Sequence, residues 1–235
     1  MAMLCLFLVP LSMLRIAFWI FFDDPAAPLP TPLLLRSLYI GLKFDLRLSL
    51  LILLPLLVLL FIQSRGLFSG RWRKGLNGYL ALAVFLLCLV YMFDFGNFAY
   101  LHTRLSAESV RLLQDTTISF SMLWETYPIF RLILLMLLIT ALFSYTIRYL
   151  IVKFGPAVEA TTPVGKWRKI AITSMSLSLV VFGMYGKLSY YPLRWSDAFF
   201  STNAFASSLA LNPALYLFDT YRAGGARYNK AAVRE

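Results

Sequence analysis

The sequence is poor in the residues from which disulfide frameworks and metal centres are built. It holds two cysteines and one histidine in 235 residues. Cys5 and Cys88 both lie in apolar stretches and form no C-x-x-C pair, so we predict buried structural thiols. His102 has no cluster of His, Cys or Asp around it, so we predict a loop histidine without a metal or catalytic role.

Recognisable catalytic and phosphate-binding motifs are also missing. The chain has no G-x-S-x-G, no glycine-rich phosphate loop and no Cys-x-Pro-x-Arg. Internal repeats, which would favour an inverted-repeat transporter, are not visible either. We therefore predict no catalytic, cofactor-binding or metal-binding residue in this chain.

Charge is scarce, at 14% of residues, whereas 60% are hydrophobic. A soluble domain has about a quarter charged residues, so this composition indicates an all-α, polytopic membrane bundle. A membrane helix needs about 20 apolar residues. Five stretches qualify: 1–22, 46–64, 79–98, 129–152 and 168–188. The helix of the second stretch has an alternative, earlier start near Pro32.

The first apolar stretch has an alternative interpretation as a cleaved signal peptide. It lacks a basic n-region, and its apolar run is longer than a signal sequence needs. We therefore expect an uncleaved anchor.

Basic residues orient the predicted spans. Residues 65–78 and 148–169 together hold nine basic residues and one acidic residue. Residues 23–47 hold three of each sign, and residues 94–131 hold three basic and four acidic residues. Positively charged loops stay in the cytoplasm, so we predict an internal N-terminus and an external C-terminus. The net charge of +11 then belongs to membrane loops and predicts no nucleic-acid partner.

The C-terminal part offers an alternative sixth span at 198–218. This stretch contains several Ser, Thr and Asn residues and Pro213, so we favour a helix lying in the outer membrane interface. The predicted division is a transmembrane domain at 1–190 and an external interfacial helix with a linker at 191–235.

Ionisable residues gather at the outer ends of the predicted spans. They include three charges in GLKFDLRLS and one in each of the first and third spans: Arg15, Lys43, Asp45, Arg47 and Asp94. Asp45 points about 200° away from Lys43 on a helix, so we expect it to pair with another helix, with Arg15 as the candidate. Asp94 has Arg47 or Lys43 as candidate partners. The set is either a group of structural ion pairs or a binding site for an anionic lipid headgroup.

Three stretches together resemble the membrane region of a known family. They are GLKFDLR at 41–47, DFGNFAYLHTRLSAESVRLLQDTTISFSMLWETYP at 94–128 and YPLRWSDAFFSTNAFASSLALNPALYLFDT at 191–220. They are similar to the N-terminal membrane region of the lipoteichoic acid synthase family, the sulfatase-superfamily phosphoglycerol transferases, in its Gram-negative branch.

The resemblance implies five helices in the bacterial inner membrane, followed by an external catalytic domain. That domain uses a Thr nucleophile and a divalent metal, commonly manganese, to move phosphoglycerol from phosphatidylglycerol to an acceptor. Its nucleophile and metal ligands have no counterpart in these 235 residues, so the chain alone is expected to catalyse nothing. The implied role is membrane anchoring and seating of the lipid headgroup. A non-enzymatic membrane scaffold and a small transporter are the alternatives.

Overall fold

The computed structural model describes residues 2–62, 70–112, 129–159, 166–187 and 189–224, and in these ranges the protein is helical without strands. We number the helices α1 to α8 in chain order. Five are long: α1 Ala2–Phe22, α2 Thr31–Ile62, α3 Gly70–Leu101, α5 Ile129–Glu159 and α6 Lys166–Tyr185. The others are short: α4 Ala107–Leu112, a 3-10 turn at Trp195–Ala198, α7 Ala204–Ala210 and α8 Pro213–Gly224.

Three of the long helices are long and apolar enough to cross a membrane. They are Ala2–Phe22, Trp72–Leu101 and Phe130–Lys153, with mean hydropathies of 2.2, 2.1 and 2.1. Helix α2 carries the charges of GLKFDLR in its middle, and the apolar part of α6 is shorter, at Ser174–Tyr185. These three helices are typical of a membrane protein. Each of the five predicted apolar stretches overlaps a long helix, although 168–188 extends beyond the end of α6 at Tyr185.

Several helices extend well beyond the apolar stretches that predicted them. Helix α2 begins at Thr31, close to the alternative start near Pro32, and α3 begins at Gly70 rather than at 79. Hydropathy detects only the part of a helix that is apolar, whereas hydrogen bonding continues through flanking polar residues. With 32 residues, α2 is about 48 Å long, against a hydrocarbon core of about 30 Å.

The core of the bundle joins α1, α2, α3 and α5. Phe7, Leu53, Leu80 and Ile147, one from each helix, are buried in one cluster. Helix α6 also packs against α2, where a Cβ on Gly183 would lie 2.6 Å from Leu50 Cδ1. The small residue allows this close approach, which is typical of packing between membrane helices.

The short helices gather at one end of the bundle, which we call the capped end. Phe18 of α1, Phe98 of α3 and Ala206 of α7 share a buried cluster there, and α4 packs on α8. Residues 198–218, the alternative sixth span, are divided between the 3-10 turn, α7 and α8. The break falls at Leu211 and Asn212, so the segment is not a continuous helix of spanning length.

The prediction of buried cysteines is wrong for Cys5, which is exposed on α1, and Cys88 is half-buried. In a membrane bundle the outer surface faces lipid, so apolar side chains need not be inside the protein. An apolar neighbourhood in the sequence therefore does not imply burial here.

Candidate functional site: a buried polar layer at the capped end

Arg15 and Asp45 form the centre of a buried polar layer, and the predicted pairing between α1 and α2 is confirmed. Arg15 Nε donates to Asp45 Oδ2 at 3.0 Å, and Nη2 donates to Oδ1 at 2.7 Å. The two side chains are 5% and 0% exposed. A bidentate pair of this kind fixes the orientation of both groups as well as their separation.

Gly41 provides the space in which the Arg15 guanidinium lies. A Cβ at Gly41 would overlap Arg15 Cζ, and the Gly41 carbonyl accepts from Nη2 at 3.2 Å. Gly41 and Asp45 are four residues apart and so share a helix face. The motif GLKFDLR thus places a gap and a carboxylate on the face towards α1, while Lys43 points away.

The C-terminal segment completes the layer through Asn212. Its Nδ2 donates to Asp45 Oδ1 at 2.8 Å and to Tyr91 Oη at 3.1 Å. Its Oδ1 accepts from the backbone N–H of Ala214 at 3.1 Å, which caps the start of α8. Asn212 is therefore fully committed to interactions within the protein and ties the start of α8 to α2 and α3.

Arg15 also holds the end of α7. Its Nη1 donates to the carbonyl of Leu209 and, at 3.0 Å, to that of Leu211. These carbonyls lie at the C-terminus of α7 and just beyond it, where the last turn of a helix lacks intrahelical partners. A single cation thus satisfies backbone groups that burial would otherwise make costly.

Asp94 has a different partner from the one expected. It pairs with Arg104, whose Nε donates to the Ser208 carbonyl at 2.8 Å. The Arg104 guanidinium also lies 3.6 Å from the centre of the Phe18 ring. The predicted pairing of Asp94 with Arg47 or Lys43 is therefore wrong, because a turn after α3 returns Arg104 to the carboxylate.

That turn is built at His102, which has a positive φ of 53°. Asn97 Nδ2 donates to the Thr103 carbonyl at 2.7 Å across the turn, and the Leu105 N–H donates to Asp94 Oδ1 at 3.0 Å. Asp94 thus accepts hydrogen bonds from the Arg104 side chain and from the backbone N–H of Leu105.

Lys43 and Arg47 lie outside the buried polar layer. The Lys43 ammonium is 4.3 Å from the centre of the Tyr39 ring, and the side chain is half-buried. Arg47 Nη1 donates to the Leu193 carbonyl, while its Nε is buried without a hydrogen-bond partner among the described residues.

The end of α6 is fixed by a second, less buried ion pair. Lys187 Nζ lies 2.7 Å from Asp197 Oδ1, and the two side chains are 26% and 31% exposed. The backbone N–H of Arg194 donates to Asp197 Oδ2 at 2.7 Å. Partial burial alone would raise the pKa of the Asp197 carboxyl, but these two donors outweigh it and lower the pKa below its usual value.

The interactions of the buried polar layer are those expected of groups that stabilise the fold. Two cations and two carboxylates cancel, and Arg15, Asp45 and Asp94 are buried with partners inside the protein. Their predicted role in binding a lipid headgroup stays a prediction, and it would require these pairs to open. Within the described residues, no three of His, Cys, Asp and Glu come together as metal ligands.

Sequence reasoning missed Tyr91, Arg104 and Asn212 in this layer. Two of them are uncharged, so a search for intramembrane charges does not find them. Arg104 had a usable signal, since it follows Asp94 by ten residues, just after the predicted end of a span.

Comparison with protein-family models, with curated proteins and with solved structures gives no match to this chain.

Proposed function

We propose that this chain is the membrane-anchoring and lipid-headgroup-seating module of a phosphoglycerol transferase similar to the lipoteichoic acid synthase family. In this proposal α1, α2, α3, α5 and α6 cross the bacterial inner membrane, with the N-terminus inside and the capped end outside. Phosphatidylglycerol is the proposed lipid partner. The manganese-dependent, sulfatase-like catalytic domain is not contained in these 235 residues.

The observation that carries the proposal is the attachment of the C-terminal segment to the helix ends by the buried polar layer. Arg15 and Asp45 from α1 and α2 bind the backbone of Leu211 and the side chain of Asn212. A module that presents lipid to an external domain needs the connecting chain held at a fixed position over the membrane. Ordering a flexible connecting chain would cost free energy each time a lipid binds.

The distribution of charge supports anchoring over transport. Arg15, Asp45, Asp94 and Arg104 all lie at the capped end, and their charges are paired. Transporters of known design bind substrate near the middle of the bilayer, in helices broken at that depth. The described parts of α3 and α5 are unbroken across their apolar lengths.

The proposal can be tested on the protein in its native membrane. An antibody raised against 189–224 would report the size of the native polypeptide, and affinity purification in mild detergent would recover bound chains. We expect a sulfatase-like domain, either joined to this chain or co-purifying with it, and manganese-dependent transfer of glycerol phosphate from labelled phosphatidylglycerol. The 235-residue chain purified alone is the control, and it should show no turnover.

Two results would overturn the proposal. One is a native polypeptide of this length that recovers no sulfatase-like domain, which would favour the non-enzymatic scaffold. The other is manganese-dependent turnover by the 235-residue chain alone, since the residues for that chemistry are not in it.

A further inference from the structure

The cations at the capped end differ in the groups that they contact. Arg15, Arg104 and Lys187 each pair with a carboxylate. Arg36 and Lys43 instead stack on aromatic rings, 4.6 Å from the centre of Phe200 and 4.3 Å from that of Tyr39. In the part of the chain that the structure describes, neither of these two cations has a carboxylate or a hydrogen-bond acceptor.

Arg36 and Lys43 lie on the same stripe of α2. Seven residues correspond to about 700° of helical rotation, so their directions differ by about 20°. The Lys43 side chain turns back by one turn to lie over the Tyr39 ring. At 1.5 Å per residue, the backbone levels of residues 39 and 36 differ by about 4.5 Å along the axis. Both side chains are long and flexible, so their charged groups can reach one phosphate group from this stripe.

The stripe lies at the depth of lipid headgroups if α2 crosses the membrane. After Arg47 the helix carries no charged residue up to its end at Ile62. These 15 residues cover about 22 Å, most of a hydrocarbon core, so Lys43 stands at its border and Arg36 beyond it. Tyr39 is 60% exposed between them, and tyrosines favour this interface.

We propose that Arg36 and Lys43 bind the phosphate of an anionic phospholipid on the surface of α2, with the Tyr39 hydroxyl as a third donor. Arg36 is exposed and Lys43 half-buried, so both are accessible from the lipid side. A guanidinium and an ammonium converging on one phosphate give charge-assisted hydrogen bonds, which are stronger than neutral ones. The inference rests on the proposed function and specifies its headgroup-binding part. It places the headgroup-binding site on this stripe of α2 rather than in the buried polar layer.

The test compares lipid retention by two variants that lose the same charge. Native mass spectrometry of the purified chain would measure retention of phosphatidylglycerol and phosphatidylcholine. The double variant Arg36→Gln/Lys43→Gln removes the stripe, and Arg73→Gln/Lys74→Gln removes two cations from the start of α3, at the other end of the bundle. We expect the first variant to bind phosphatidylglycerol about tenfold more weakly, which corresponds to one charge-assisted hydrogen bond, and the control to match the wild-type protein.

A third variant, Arg36→Lys/Lys43→Arg, keeps both charges and should keep the preference for the anionic lipid. Equal loss in the two glutamine variants would overturn the inference, as would unchanged retention in Arg36→Gln/Lys43→Gln. Displacement of the lipid by millimolar glycerol 3-phosphate would also overturn it, by assigning the site to a soluble phosphate. The assay uses the chain alone, so its failure is separate from a failure to recover a catalytic domain.

Discussion

Asp45 receives hydrogen bonds from two side chains on two other helical segments, and none of its charge reaches solvent. Removing Arg15 would leave this carboxylate buried and uncompensated. We expect Arg15→Met to lower the stability of the protein by about 3–5 kcal/mol, the range for breaking a buried ion pair from one side.

Asp45→Asn should be costly for the same reason, and the double variant should cost less than the sum of the two. The measurement is a double-mutant cycle on unfolding in mixed micelles, with Lys43→Met as a control that should be close to neutral. Additive effects of the two changes would show that the pair is not coupled.

A second prediction at the scale of single residues concerns the effect of Gly41→Ala on stability. Gly→Ala inside a helix is ordinarily stabilising by up to about 1 kcal/mol. Gly96→Ala, with no atom within 4 Å of the new Cβ, should show this gain. Gly41→Ala should instead destabilise by about 1–3 kcal/mol, because the methyl group displaces Arg15 from its hydrogen bonds. Thermal unfolding of the two variants side by side checks the difference, and equal shifts would contradict it.

The sequence predicted the Arg15–Asp45 pair because helical geometry turned Asp45 away from the bases on its own helix. The same reasoning failed for Asp94, since its partner depends on the turn at His102, which joins positions that no helical period relates. Asn212 could not be predicted, because its role depends on how α7 and α8 pack on the bundle rather than on its own sequence context.

At the scale of elements, the end of α6 depends on the contact between Lys187 and Asp197. The pKa of Asp197 is lower in the folded protein than its usual value of about 3.9. The pair therefore contributes stability above pH of about 4 and loses it as the pH falls through the folded pKa. Because both groups are partly exposed, the contribution should be at most about 1 kcal/mol.

We expect Asp197→Asn to lower the melting temperature at pH 6 and to match the wild-type protein near the acid end of the transition. The measurement is the difference between the two melting temperatures across a pH series, which cancels the other titrating groups. A difference that stays constant down to about pH 3 would contradict the assignment.

Helix boundaries show which elements the sequence could specify. The apolar stretches predicted the position of all five long helices, since hydropathy over about 20 residues is a strong signal. The C-terminal segment was predicted as one interfacial helix and is two, divided where Asn212 caps α8 with its own side chain. Such a cap is visible in the sequence as Asn-Pro, with Pro213 in the first turn of the new helix.

At the scale of the whole molecule, the proposed five spans place the two chain ends on opposite sides of the membrane. Alkaline phosphatase fused after Glu235 should be active, and a fluorescent protein fused there should be dark. The same pair of reporters inserted at residues 65–69, which lie outside the described residues and within the predicted cytoplasmic stretch 65–78, should give the opposite result. An inactive phosphatase with a fluorescent reporter at the C-terminus would require a sixth span and contradict the proposed topology.

The distance along the chain between Asp45 and Asn212, 167 residues, has a consequence for synthesis. Helices α1 and α2 leave the ribosome early and can insert as a neutral ion pair, but Arg15 Nη1 lacks its acceptors until residues 209–211 are made. A nascent chain that stops before them lacks both carbonyl groups that accept from Arg15 Nη1. We expect membrane quality control to act on chains that end before these acceptors are made. In a pulse-chase experiment, a chain truncated at residue 200 should be degraded faster than the 235-residue chain.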